Sequence, residues 1–198
     1  MTDKFFEKKS IGLLILAGGR SHRMGRDKAG LAMAGGTFAG NIRTVMGDFE
    51  EKFFSHDRDF YGNQMTLEGF ETLTDEKELK GKGPAAGIVT ALKVCRSRWL
   101  MVVPCDSPMI DRMAAVRLWN ALKQRDIIMT ARGSRGTEPL VGIYPKKAEP
   151  QMRQMLLAGT YRMRDILEQI GYETVRIDDE KLVNINTPED YKEMIGKK

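Results

Sequence analysis

The most constraining feature of this sequence is an apolar run that breaks into glycine and then into positive charge. Ile11 to Ala17 is short and, apart from Gly12, apolar throughout, as suits a strand buried on both faces. Gly18-Gly19 ends it, and five of the next nine residues, Arg20 to Lys28, are basic when His22 is counted. Glycine lets backbone N–H groups approach a ligand with no Cβ in the way. A strand running into such a turn is built to hold an anion, most simply a polyphosphate. Gly18-Gly19 alone would suit any solvated turn. Arg23, Gly25, Asp27 and Lys28 tilt the reading to phosphate.

The spacing fits neither common phosphate motif. Lys28 is followed by Ala29 and comes too late after the glycines for G-x-x-x-x-G-K-[ST], and no G-x-G-x-x-G is present.

Downstream, strand and helix patterns alternate. Thr37 caps a helix expected to reach Glu51, and Phe53 to His56 is a second strand. His56 falls at the end of that strand, near the expected site, although a lone histidine is more often a surface or packing residue. Phe70 to Leu73 reads as a third strand. Pro84 opens a helix from about Ala85 to Cys95. Trp99 to Val103 is the cleanest buried strand. Asp111 caps a helix to about Lys123, Asp126 to Ala131 is a strand, and Thr137 to Tyr144 is extended. Helices with Met152, Met155 and Leu156 and then over Thr160–Ile170 follow. Their methionines at helical spacing are core. Glu173–Ile177 and Leu182–Ile185 are the last expected strands. A final helix begins at Asn186-Thr187-Pro188, with Thr187 or Asn186 as cap. This order implies an α/β protein with a mostly parallel sheet, read as one domain over 1–198.

Charge and cysteine content narrow the function classes. The formal net charge is +5, and the basic residues are scattered rather than gathered into a nucleic-acid arm. Cys95 and Cys105 suit neither a metal cluster nor a disulfide scaffold. No apolar run is long enough to span a membrane, and Met1 to Ser10 lacks a signal-peptide core. The expectation is a cytoplasmic protein with no nucleic-acid or membrane partner.

Two further stretches carry chemistry. Lys80-Gly81-Lys82-Gly83-Pro84 offers a helix N-terminus and two lysines to an anion, although a plain helix start fits as well. Pro104-Cys105-Asp106-Ser107-Pro108 follows the best strand, and ligands of open α/β sheets sit at the carboxyl ends of strands. Asp106 there is a candidate for a divalent cation bridging to phosphates. Its bland alternative is a turn residue or cap.

The stretch L-A-G-G-x-x-x-R-M-G-x-D-K, together with Gly83-Pro84-Ala85-Ala86-Gly87, Pro104 to Pro108, Glu138-Pro139-Leu140 and Asn184 to Asp190, resembles the molybdenum cofactor guanylyltransferase (MobA) family. The resemblance covers nearly the whole chain. It implies a three-layer, Rossmann-like nucleotidyltransferase fold with a mostly parallel mixed sheet. It also implies transfer of GMP from GTP to molybdopterin with release of pyrophosphate.

Carried over residue by residue, Leu16, Ala17, Gly18 and Gly19 hold base and phosphates. Lys28 meets the phosphates with Arg23, and Asp106 binds Mg²⁺, or Mn²⁺ in its place. The family's Asp after the third strand maps best to Asp75, with Glu76 as the other choice. Where the family has an Asn after its second strand, this chain has Ser55-His56. Asn184 and Asn186 flank Ile185 at strand spacing, so both amides would share one face; the alternatives are acceptor or metal contact, or a helix cap at Asn186. Arg132, Arg135, Arg162 and Arg164 are candidates for an anionic acceptor. Contacts with other molybdenum cofactor proteins also follow from the resemblance. Two alternatives remain: cytidylyl or sugar-phosphate nucleotidyl transfer on the same fold, and a nucleotide-binding module without turnover.

Overall fold

The computed structural model describes residues 5–6, 10–17, 32–33, 36–46, 48–56, 66–185, 187 and 189–192. Gly18, Gly19, Arg23, Lys28 and Asn186, all expected at the site, lie outside the described residues.

Seven strands form one sheet. In chain order they are β1 (Ile11–Leu16), β4 (Lys52–Ser55), β5 (Glu71–Leu73), β6 (Trp99–Pro104), β7 (Ile128–Gly133), β8 (Gly136–Pro145) and β9 (Tyr172–Arg176). A two-stranded antiparallel pair, β2 (Ala32–Met33) with β3 (Gly36–Thr37), stands apart. The spatial order is β5-β4-β1-β6-β8-β7-β9. Only β8 runs against its neighbours, so the sheet is mixed and mostly parallel, as expected.

Period-two alternation assigns the two faces. Leu13 and Ile15 of the first strand, and Ala17 just past it, join Met101 and Val103 on one face. That face is covered by α1 (Phe38–Val45) and α3 (Arg112–Leu122). Leu14, Leu16, Leu100 and Val102 point the other way, under α2 (Pro84–Val94), α4 (Glu149–Leu157) and α5 (Met163–Ile170). Three layers follow from strands that are apolar on both sides. No described helix is long and apolar enough to cross a membrane.

The local signals hold where short-range physics sets them. The Thr37 hydroxyl accepts from Gly40 N at 3.0 Å and the Asp111 carboxylate accepts from Ala114 N at 3.0 Å. Pro84 begins α2 behind Gly83, whose φ of 76° favours glycine. Thr187 Oγ1 accepts from Asp190 N at 3.1 Å and so supplies the cap of the last helix.

Three expectations are corrected. The first helix ends at Val45, because Met46 leaves helical geometry at φ −116°. Phe49 nonetheless packs into the core, stacked on Phe6 with centroids 4.3 Å apart. The Thr160–Ile170 helix begins only at Met163, after a turn at Gly159 with φ 97° and an extended Arg162. Leu182–Ile185 is no strand. A 3-10 turn spans Asp179–Leu182, and the chain then crosses the sheet end instead of pairing along it. The strand-alternation argument for Asn184 and Asn186 therefore does not apply.

Candidate functional site

Chain order reverses between β1 and β6: β4 and β5 lie on one side of β1, and β6 on the other. Such a switch point opens a crevice at the carboxyl ends of the strands. Leu16 is paired with Pro104 across it. Three backbone bonds line up the strand ends. Ala17 N donates to Ser55 O at 2.8 Å, Cys105 N to Leu16 O at 2.8 Å, and His56 N to Leu73 O at 3.2 Å. The expected residues Leu16, Ala17, Asp75 and Asp106 thus share one edge, with Leu16 and Ala17 buried.

Close packing beneath the crevice depends on Gly87. A Cβ there would sit 2.7 Å from Ser55 Oγ and 2.9 Å from Leu16 Cδ2. The second glycine of the Gly-Pro-Ala-Ala-Gly stretch thus lets α2 lie directly under the ends of β1 and β4. His56 takes the packing role: it is 1% exposed and stacks on Phe54, with centroids 6.0 Å apart and planes 11° apart.

Asp106 lies just past β6 in a tightly held turn. Ser107 N donates to Pro104 O at 3.2 Å and Ile110 N to Ser107 O at 3.1 Å. Asn41 Nδ2, from α1, donates to Pro108 O at 2.8 Å. The crossing segment closes the turn from the far side, with Ile185 N donating to Asp106 O at 2.8 Å. The Ser107 hydroxyl donates to Asn184 Oδ1 at 2.5 Å. The Asn184 amide N–H donates in turn to the Glu138 carboxylate. Asn184 therefore spends its amide on the turn and on β8.

Glu138 was quoted from sequence only as part of Glu138-Pro139-Leu140, with no role of its own. The ladder shows what that stretch does. Thr130 pairs with Gly142 but Ala131 with Glu138, so residues 139–141 bulge out of β8. Pro139 has no N–H to give the ladder, and the Tyr144 hydroxyl donates to the Pro139 carbonyl. Bulges of this kind re-aim side chains beside active sites. Here the bulge brings Glu138 into the electrostatic reach of Asp106. Burial pushes the Glu138 carboxyl above its ordinary value, Arg135 and the Asn184 hydrogen bond pull it back, the Asp106 charge raises it again, and Arg164 lowers it. Of the four candidate arginines, Arg135 and Arg164 therefore lie near this acidic pair. All four are exposed.

Two carboxylates within electrostatic reach of each other are oxygen donors of the kind that suits a hard divalent cation. Among the described residues no three His, Cys, Asp or Glu side chains gather into a ready-made cage.

At the opposite flank, Asp75 and Glu76 are distinguished by their partners. Glu76 is engaged by Arg153 at 2.7 Å and Lys93 at 3.0 Å. Asp75 is half-buried beside it, just past β5.

A family model described as MobA-like NTP transferase domain matches residues 13–175. The chain is 32% identical to a probable molybdenum cofactor guanylyltransferase of Geobacillus sp. (strain WCH70), covering 92% of this chain and 96% of that protein. It is 29% identical to a molybdenum cofactor guanylyltransferase of Pseudomonas entomophila (strain L48), covering 89% and 94% respectively. Its fold is similar to that of molybdopterin-guanine dinucleotide biosynthesis protein A from Archaeoglobus fulgidus. The TM-score is 0.75 at 23% identity, over 94% of this chain and all of that one.

Proposed function

The chain belongs to the MobA-like NTP transferase family, and from that premise we propose that it transfers GMP from GTP to molybdopterin, releasing pyrophosphate and forming a guanine dinucleotide cofactor. The observation that carries the reading is the place of Asp106, set at the switch point by a turn bonded from α1 and from the 184–185 segment, which Glu138 of β8 engages in turn through Asn184.

A terminal phosphate oxygen of molybdopterin attacks the α-phosphorus of GTP. The bond from the α-phosphorus to the bridging oxygen breaks, and pyrophosphate leaves with the electron pair. No covalent enzyme intermediate is required, so the protein contributes positioning and charge stabilisation. Leu16 and Ala17 border the base, with the Leu16 carbonyl and the Ala17 N–H held by Cys105 and Ser55. Gly18 and Gly19 offer N–H groups to the phosphates, and Lys28 and Arg23 balance charge moving onto pyrophosphate. Asp75 accepts from guanine or ribose donors. Asp106, with Glu138 close by, would hold Mg²⁺ or Mn²⁺. That ion, when bound, supplies charge neutralisation at the phosphates. Arg135 and Arg164 suit the anionic acceptor. Asn184, its amide spent on Ser107 and Glu138, serves the acceptor side by holding the Asp106 turn, and Asn186 extends that side. The reaction is soluble cytoplasmic chemistry, and its product suits direct hand-over to other molybdenum cofactor proteins.

A pyrophosphate-release panel tests the reading with GTP, CTP and ATP against molybdopterin and a sugar phosphate. GTP with molybdopterin is expected to turn over fastest. Faster turnover with CTP or with the sugar phosphate would reassign the pair. Nucleotide binding with no release for any pair would leave a binding module without catalysis.

A further inference from the structure

A charge cluster centred on Arg153 lies beyond the crevice, at the interface between α4 and the turn after β5. The Arg153 side chain is 18% exposed and uses every nitrogen. Nη2 meets Glu76 Oε1 at 2.7 Å, Nη1 meets Glu78 Oε1 at 2.8 Å, and Nε meets Glu149 Oε1 at 2.7 Å. The other Glu76 oxygen takes Arg153 Nη1 at 3.3 Å and Lys93 Nζ, from α2, at 3.0 Å. Isolated exposed ion pairs contribute little. A two-pronged, mostly buried guanidinium shared among three carboxylates differs, because its planar fork fixes geometry as well as charge.

The turn is tied to α4 from its far end as well. Leu79 N donates to Glu76 O at 2.8 Å, and Leu79 is fully buried. Lys82 then donates to Leu156 O at 3.0 Å and lies 5.0 Å from the Tyr161 ring centroid. The segment from Glu76 to Lys82 is therefore held by α4 at both ends. Its first residue adjoins Asp75, whose Oδ1 is out of contact with solvent. On the other side, Leu73 O accepts from His56 N. This construction holds the backbone on each side of Asp75.

We infer that Arg153 is a positioning residue for nucleotide selection: through Glu76 it holds Asp75 at the carboxyl end of β5, and so sets affinity for the base and ribose rather than for the phosphates. The inference rests on the assignment of Asp75 under the proposed function. Calorimetric dissociation constants for GTP, ATP and inorganic tripolyphosphate, each with Mg²⁺, test it. Arg153→Met is expected to weaken GTP binding by about tenfold with tripolyphosphate unchanged, as loss of a ligand-orienting contact should. Arg153→Lys should restore part of the loss, and Glu76→Gln should weaken GTP in the same direction. These milder variants carry the test if Arg153→Met does not fold. A lower melting temperature with an unaltered ratio of GTP to tripolyphosphate affinity would overturn the inference. Asp75→Ala separates the two failures. If it leaves the ratio unchanged, the Asp75 assignment itself fails. If it lowers the ratio while the Arg153 and Glu76 variants do not, Arg153 acts only on stability.

Discussion

Two glutamates at opposite edges of the same sheet meet opposite treatment. Glu51 stands just before β4, at the edge away from the crevice. It is 12% exposed and accepts Arg96 N at 2.9 Å, Ser97 N at 2.7 Å, the Ser97 hydroxyl and Arg96 Nε at 3.3 Å. Burial pushes its carboxyl up. The Ser97 and Arg96 hydrogen bonds outweigh that and leave it below the ordinary value. Glu138, at the crevice edge, is also partly buried, but its donors do not compensate and Asp106 adds like charge, so its carboxyl is raised. One edge is arranged for its own stability. At the other, burial and the like charge of Asp106 outweigh the Arg135, Arg164 and Asn184 interactions.

The largest expected break in this comparison is at Asp106. Asp106→Ala should fold normally and lose about 10²–10³-fold in pyrophosphate release, the scale of a removed charge-stabilising contact. Near-normal turnover with magnesium would return Asp106 to the status of a turn residue.

Equal alanine substitutions at a glycine on each edge sharpen it. Gly87→Ala drives a Cβ against Ser55 and Leu16 and should cost about 1–3 kcal/mol by overpacking. Gly12→Ala meets the Cys95 Sγ at 3.1 Å, Leu100 Cδ1 at 3.4 Å and Glu51 Cβ at 3.5 Å, and should cost less. Denaturant titrations of both rank them, and equal losses would show that the crevice edge is no more tightly packed than the other.

Glu51→Ala leaves the Arg96 and Ser97 N–H groups without their carboxylate and should cost about 2 kcal/mol at neutral pH. The depressed folded pKa gives the sign. The native preference is fully present above the unfolded value of 4.5 and is lost as pH falls through the lower folded value. The gap between wild type and a Glu51→Gln variant should therefore close on acidification, measured by urea unfolding across pH. A gap independent of pH would refute the hydrogen-bond account.

The smallest effect is expected at Glu138→Gln in metal-free protein. A raised folded pKa favours the neutral carboxyl, so the wild type loses stability as pH rises from 4.5 through the folded value. The glutamine variant should be slightly more stable than wild type at pH 7, by under about 1 kcal/mol, and the gain should vanish below pH 4.5. A variant less stable at pH 7 would mean that the Asn184 bond needs the charged carboxylate.

Legibility in the sequence followed the range of the forces involved. The two central strands could be read from apolar runs, and Thr37, Asp111 and Pro84 from capping chemistry, because each depends on neighbours within a few residues. The Pro104–Pro108 stretch was readable for the same reason as a turn that sets a carboxylate directly after a buried strand. His56, read as a surface or packing residue, is buried against Phe54. The 182–185 segment was misread because Leu182 and Ile185 are both buried, yet their burial comes from crossing the sheet end, not from pairing.

By itself, then, the sequence determined the alternation of strands and helices, the caps, and the clustering of Leu16, Ala17 and Asp106 at strand ends, since period and turn chemistry are local. Only the tertiary structure decided that β8 inserts antiparallel between β6 and β7, that its bulge brings Glu138 to Asp106, that Asn184 is consumed by Ser107 and Glu138, and that Glu76 belongs to Arg153. These are contacts between residues tens of positions apart. They arise from which strand neighbours which, and a linear pattern of apolar and charged residues does not encode that order.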